Sequence, residues 1–160
     1  MKVFFLFLFI FAVHLSSDLS AQSNFSAVVT KIIDGDSIVI KRGKKSIEIR
    51  LYGIDCPEWN QHFSAESRNY MVSLLYKQKV KVVPQYYDSY GRLVALLFKN
   101  NHDVNGGLVK SGIAWVYPKY CMKKVCRKWL VDEQTAREES RGLWQNKSPV
   151  SPWRWKRMQH

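Results

Sequence analysis

The segment from residue 25 to residue 52 constrains the fold most strongly, because runs of strand-forming residues alternate there with turn-forming residues. The runs are Phe25–Ile33, Ser37–Lys41 and Ser46–Tyr52, separated by Asp34-Gly35-Asp36 and by a basic turn at 42–45. β-Branched residues favour strands, whereas Asp and Gly favour turns. In the third run polar and apolar residues alternate, which is typical of a strand with one buried face. The segment therefore predicts a three-stranded meander.

The rest of the chain combines two further strands with helices. Residues 64–76 and 123–141 have helical periodicity, and Asp103 is placed to cap a short helix. Strand patterns cover residues 79–83 and 93–98. We therefore expect an α+β fold in which five short strands form a small barrel of the oligonucleotide-binding (OB) type, accompanied by about three helices.

The N-terminal residues have the pattern of a signal peptide. Lys2 precedes the unbroken apolar run Val3–Val13, which is shorter than the roughly 20 residues that a membrane-spanning helix needs. We expect residues 1–21 to be removed as a signal peptide and the protein to be exported, to the periplasm or to the medium. A buried N-terminal strand is the alternative. The folded domain is then expected at 25–146 and a basic tail at 147–160, with no membrane-spanning segment after cleavage.

Lysine and arginine outnumber the acidic residues by 25 to 13, so the chain carries a net charge of +12. Hydrophobic residues make up 46% of the chain, which is enough for a packed core and excludes wholesale disorder. A folded protein this basic is expected to bind a polyanion: nucleic acid, acidic lipid or an anionic wall polymer. Charge alone does not choose among these partners.

The three cysteines divide into a pair and a single thiol. Cys121 and Cys126 are close in sequence, and an exported protein meets an oxidising compartment, so we expect a disulfide between them. A metal site is less favoured there because no further Cys or His accompanies the pair. Cys56 is left over, and a small buried side chain is its simplest interpretation.

Acidic residues are scarce, yet four of them fall in two short loops: Asp34 and Asp36 in one, Asp55 and Glu58 in the other. The meander could bring both loops to one end of the sheet. Grouped carboxylates repel each other unless a positive charge lies among them, and hard cations bind oxygen ligands of this kind. The alternative for each loop alone is a simple turn or helix cap.

Two arginines flank the acidic loops. Arg50 lies on the strand that leads to Asp55, and Arg92 follows the turn Asp88-Ser89-Tyr90-Gly91. The planar guanidinium group donates parallel hydrogen bonds to phosphate. Carboxylates for a metal ion, a further carboxylate for a water molecule and two arginines for phosphate charge together indicate phosphodiester hydrolysis.

Three motifs in this order resemble the staphylococcal (thermonuclease-type) nuclease family. They are Ile33-Asp34-Gly35-Asp36-Ser37, the stretch Ile49-Arg50-Leu51-Tyr52-Gly53-Ile54-Asp55-Cys56-Pro57-Glu58, and Asp88-Ser89-Tyr90-Gly91-Arg92. The resemblance extends from about Phe25 to Trp144. It implies that one Ca²⁺ ion is bound by the side chains of Asp36 and Asp55 and by the backbone carbonyl of Cys56. Asp34 matches an acid that tunes this site through water.

The resemblance also implies roles in catalysis and substrate binding. Arg50 and Arg92 match two arginines that bind the scissile phosphate, Glu58 matches the general base, and Tyr90 matches a tyrosine beside the nucleotide. Two further tyrosines, Tyr117 and Tyr120, match family positions only loosely.

The expected activity is therefore an exported, Ca²⁺-dependent endonuclease that hydrolyses DNA and RNA with little sequence specificity and leaves 3′-phosphate ends. We expect a monomer without a stable protein partner. One alternative is an inactive OB-fold module that binds nucleic acid without cleaving it. A second is a basic surface protein that Trp153 and Trp155 of the tail anchor to an acidic envelope.

Overall fold

The computed structural model describes residues 23–159. The expected signal peptide lies outside these residues. Within them, the strands are β1 (Phe25–Ile32), β2 (Ser37–Arg42), β3 (Lys45–Leu51), β4 (Ile54–Asp55), β5 (Lys79–Tyr87), β6 (Leu93–Lys99), β7 (His102–Asp103) and β8 (Trp115–Val116).

Four α-helices accompany the strands in the described part of the chain: α1 (Ser64–Leu75), α2 (Val104–Lys110), α3 (Val125–Glu138) and α4 (Pro152–Met158). Short 3₁₀ helices cover Pro118–Tyr120 and Gly142–Gln145. The sequence predicted about three helices, and the additional one, α4, lies in the basic tail. None of the helices between residues 23 and 159 is long and apolar enough to cross a membrane.

The main sheet closes on itself as a barrel. Its strand order is β3-β2-β1-β5-β6-β7, and a parallel pairing between β3 and β6 joins its two sides. The antiparallel pairs β1–β2 and β2–β3 form the meander predicted from the sequence. The expected α+β fold with a five-stranded OB-type barrel is therefore confirmed.

The core fills the barrel and the space beneath the helices. Val29, Ile38, Ile49 and Leu97 from four strands are fully buried. In β1 and β3 the buried side chains alternate with more exposed ones, because successive side chains of a strand point to opposite faces. Trp129 of α3 is also fully buried. Each such side chain contributes about 1.5–3 kcal/mol by leaving water.

The basic tail packs against the loop before α1 and against aromatic residues at and after β8. Its backbone carbonyl at Val150 accepts a hydrogen bond from the side-chain amide of Gln61, at 2.6 Å. Trp153 stacks on Tyr117 with ring centroids 4.7 Å apart, and it meets Trp115 edge-on at 5.8 Å. Trp153 is therefore engaged with the protein's own aromatic residues, which argues against its use as a membrane anchor.

The expected disulfide joins Cys121 and Cys126, whose Cα atoms are 5.7 Å apart. It lies against the loop between β3 and β4, where Gly53 has a positive φ of 71°. A Cβ atom at Gly53 would lie 2.7 Å from the Cys121 sulfur, so both the backbone conformation and the close approach require glycine. The disulfide thus supports the loop that leads to Asp55.

Candidate active site

The pairing of β2 with β3 brings the first acidic loop beside Arg50. Ser37 at the start of β2 pairs with Arg50 on β3, and the Leu51 N–H donates to the Asp36 carbonyl at 2.8 Å. Arg50 lies near the end of β3, and Asp55 follows at the end of the short strand β4, where the sequence predicted a loop. The two loops therefore meet at one end of the barrel because strand register places them there.

Gly35 explains how the loops can approach so closely. A Cβ atom at this position would lie 2.0 Å from the Ser67 hydroxyl of α1 and 2.6 Å from the Cys56 Cβ. The glycine between Asp34 and Asp36 thus leaves room for the second acidic loop. Asp34 shapes this turn, since its Oδ1 accepts the N–H groups of Asp36 at 3.0 Å and Ser37 at 2.7 Å.

The carboxylates of Asp36 and Asp55 are both buried, with 2% and 1% of their surface exposed. The guanidinium group of Arg50 contacts both of them. Asp36 Oδ2 also accepts the backbone N–H of Cys56, at 2.7 Å. The two predicted metal-binding carboxylates therefore lie side by side, with an arginine between them.

Asp55 has an unusual electrostatic environment. Burial raises the pKa of this carboxyl, and the negative charge of Glu58 raises it further. The positive charges of Arg50 and Lys156 lower the pKa, but burial outweighs them. Its Oδ2 is buried without a hydrogen-bond partner in residues 23–159. A buried acceptor without a partner costs free energy, and a positive ion beside it would remove that cost.

The donor atoms fit a hard cation. Asp36 and Asp55 provide carboxylate oxygens, the ligand type that Ca²⁺ prefers, and Asp55 Oδ2 is available. In the described part of the chain, no group of three or more His, Cys, Asp or Glu side chains forms a metal site. Further oxygens would have to come from the backbone, from substrate or from water, as is common for Ca²⁺.

Cys56 is buried between the loops and is the free cysteine of the described residues. Burial raises the pKa of its thiol to about 12. The thiolate, which is the reactive form, is therefore not populated near neutral pH. The contribution of Cys56 through its backbone carbonyl stays a prediction.

Arg92 is oriented by Asp88, a residue that the sequence placed only in a turn. Arg92 Nε donates to Asp88 Oδ2 at 2.8 Å, and the backbone N–H groups of Tyr90 and Arg92 donate to Oδ1 at 3.0 and 2.9 Å. Burial alone would raise the pKa of Asp88, but these hydrogen bonds outweigh it and lower the pKa below its ordinary value. The spacing Asp-x-Tyr-Gly-Arg was the sequence signal for this link.

A cavity of about 480 Å³ opens at this end of the barrel. Its lining includes Asp55 and three cationic side chains, those of Arg50, Arg92 and Lys156. Tyrosines complete it, among them Tyr90, Tyr117 and Tyr120. Positive charge beside one buried carboxylate and several aromatic rings suits a ligand with phosphate groups and bases.

Glu58, the predicted general base, is 29% exposed and contacts Lys156 of α4, with 2.6 Å between Oε1 and Nζ. Lys156 was not among the residues predicted for the site. Local sequence contains no signal for this contact, because the tail and the loop are distant along the chain.

Comparisons with known proteins identify the family to which the chain is similar. The family described as staphylococcal nuclease homologue matches residues 48–146. An uncharacterized endonuclease from Haemophilus influenzae is 33% identical over 141 residues, which cover 88% of this chain and 77% of the relative. A protein named micrococcal nuclease from Shigella flexneri is 30% identical over 155 residues, which cover 91% of this chain and 88% of that relative.

The protein is thus built on an OB-type barrel, which has acidic and basic groups at one end. The chain belongs to the staphylococcal nuclease family, and the family and its relatives support a nuclease function. Asp36 precedes the stretch that the family description matches, whereas Arg50, Asp55, Glu58 and Arg92 lie within it. The pairing of β2 with β3 brings the loop that contains Asp36 next to Arg50.

Proposed function

We propose that the protein is an exported, Ca²⁺-dependent endonuclease that hydrolyses DNA and RNA with little sequence specificity and leaves 3′-phosphate ends. One observation carries this proposal: the buried carboxylates of Asp36 and Asp55 both contact Arg50, and Asp55 and Arg50 line a cavity together with Arg92. The resemblance of the three motifs to the family supports the choice of metal and products.

In this proposal the side chains of Asp36 and Asp55 and the backbone carbonyl of Cys56 bind one Ca²⁺ ion, and Asp34 acts on it through water. The buried, unpartnered Asp55 Oδ2 supports this assignment. When bound, Ca²⁺ withdraws charge from a phosphate oxygen and so lowers the barrier to attack on phosphorus.

The chain's own residues perform the remaining tasks. Glu58 orients a water molecule for attack on phosphorus and accepts its proton. The P–O5′ bond breaks, the phosphate stays on the 3′ side, and the leaving 5′-oxygen takes a proton from solvent water. Arg50 and Arg92 donate hydrogen bonds to the phosphate oxygens, whose negative charge increases in the transition state. Arg50 contacts both buried carboxylates and also lines the cavity, so the N–H groups that the carboxylates do not use are available to the phosphate.

Low sequence specificity follows from the kind of contacts available. Arginine and lysine bind the phosphodiester backbone, which is the same for every sequence. Tyr90 is 84% exposed beside Arg92 and offers a ring on which any base can stack. Unpaired bases reach such a ring more readily than paired ones, so we expect single-stranded regions to be cleaved faster.

The disulfide between Cys121 and Cys126 supports export, because disulfides persist in oxidising compartments. We also propose a monomer that acts on nucleic acid without a stable protein partner.

The deciding experiment is parallel digestion of single-stranded DNA, duplex DNA and RNA, with Ca²⁺ and with a chelator. We expect all three substrates to be shortened with Ca²⁺ only, and 3′-phosphate ends to be released. Equal digestion in chelator would refute the role of the metal. DNA that is retarded in a gel but never shortened would favour the inactive binding module.

A further inference from the structure

The tail helix α4 contributes a cation to the cavity. Lys156 lines it together with Arg50 and Arg92, and its Nζ lies 2.6 Å from Glu58. Lys156 lies outside the stretch 48–146 that the family description covers. The roles inferred from the family motifs therefore leave this residue unassigned.

Packing determines where Lys156 lies. The side chain of Gln61 accepts the backbone N–H of Glu58 at 2.9 Å through Oε1, and it donates to the Val150 carbonyl at 2.6 Å through Nε2. One buried side chain thus connects the Glu58 loop to the tail. Trp153, which stacks on Tyr117, fixes the helix three residues before Lys156.

The ion pair with Glu58 does not account for this position. The Lys156 side chain is 55% exposed, and ion pairs exposed to water contribute little to stability. An ammonium group has three donors, of which Glu58 takes one. The group is therefore available to a further acceptor in the cavity.

We propose that Lys156 binds a phosphate of the nucleic-acid substrate beside the scissile phosphate, so that α4 is part of the active site. This inference rests on the proposed nuclease function. A lysine provides a flexible point charge for the phosphodiester backbone, and it does not discriminate between bases. The expected ligand is the phosphate group of an adjacent nucleotide in the same strand.

Two variants on one helix test the proposal. Lys156→Gln and Arg154→Gln each remove one positive charge from α4, but Arg154 is exposed and does not line the cavity. For a single-stranded DNA oligonucleotide, we expect Lys156→Gln to raise KM about fivefold with little change in kcat, as for one lost phosphate contact. Arg154→Gln should change KM less than about twofold, and Lys156→Arg should recover most of the affinity.

Salt dependence provides a second readout that a purely structural role would not change. Binding of the same oligonucleotide is measured by fluorescence anisotropy in chelator, over a range of salt concentrations. Losing one phosphate contact should reduce the slope of log Kd against log salt by about 0.7 in Lys156→Gln. The slope for Arg154→Gln should equal that of the wild type.

Two results would overturn the proposal. Equal KM values and equal slopes for the two variants would show that only net charge matters. A higher kcat/KM for Lys156→Gln would show that the pair with Glu58 obstructs the substrate. Wild-type protein that leaves DNA intact with Ca²⁺ would instead contradict the proposed function, and the anisotropy comparison would still test Lys156 by itself.

Discussion

Among individual residues, Arg50 offsets the repulsion and the lost hydration of two buried carboxylates. Two carboxylates buried side by side repel each other and lose their hydration, unless a positive charge lies between them. Arg50 contacts both Asp36 and Asp55, yet burial still raises the pKa of Asp55. The carboxylate pair thus remains only partly compensated, which suits a site that takes up a cation.

Glu58 can be tested by a substitution that preserves its shape. Glu58→Gln removes the proposed proton acceptor, so we expect kcat on single-stranded DNA to fall about 100-fold or more. Because Glu58 is partly exposed, thermal unfolding should change little. Glu48→Gln, on the exposed face of β3, is the matched control and should retain activity. Wild-type kcat in Glu58→Gln would remove Glu58 from the mechanism.

The lowered pKa of Asp88 predicts a pH-dependent contribution to stability. A carboxyl whose pKa is lower in the folded state than in the unfolded state stabilises the fold above its unfolded pKa. The contribution of Asp88 should therefore be complete well above its ordinary pKa of 3.8 and be lost as the pH falls through the lower folded value.

Urea unfolding of the wild type and of Asp88→Asn measures this contribution. At pH 6 we expect the wild type to be more stable by about 1 kcal/mol, since hydrogen bonds to a charged group are lost in the variant. The difference should shrink towards zero as the pH falls below 3.8. A difference that stays constant down to pH 3 would contradict the assignment.

Among the secondary-structure elements, α2 shows how one side chain joins neighbouring helices. Asp103 was predicted to cap this helix, and its Oδ1 accepts the Gly106 N–H at 3.1 Å, which confirms the prediction. Its Oδ2 accepts the indole N–H of the buried Trp129 on α3, at 2.8 Å. The cap therefore also fixes the packing of α3 against α2.

Asp103→Ala should destabilise the protein by about 2–3 kcal/mol, because it removes a cap and leaves a buried indole N–H without its partner. Thermal or urea unfolding measures this loss. Asp132→Ala on α3 is the control: it removes only an ion pair with the exposed Lys128 and should cost less than about 1 kcal/mol. Equal losses in the two variants would refute the structural role of Asp103.

For the whole molecule, the net charge of +12 predicts salt-sensitive catalysis. Binding to a polyanion releases counterions, so added salt weakens it. We expect kcat/KM on single-stranded DNA to fall at least about tenfold between 50 and 200 mM salt. Unfolding midpoints in the same buffers are the control and should not fall with it. Activity that is independent of salt would mean that backbone phosphates contribute little to binding.

The sequence by itself determined the barrel and the composition of the motifs that form the candidate active site. The β1–β3 meander follows from strand-forming runs separated by turn residues, which act locally. The pairing of β2 with β3 then places Asp36 beside Arg50, since strand register fixes which residues are neighbours. The short helix after Asp103 and the disulfide were also predictable, because their signals lie within a few residues.

Only the tertiary structure decided how distant segments meet. The contact of Arg50 with both carboxylates depends on burial, and the contact of Lys156 with Glu58 depends on Trp153 and Gln61. These contacts depend on the ring of Trp153 and the side-chain amide of Gln61, which pack against residues far away in the chain. No periodicity or turn motif encodes that docking, because its free energy comes from surfaces that exist only after the barrel has closed.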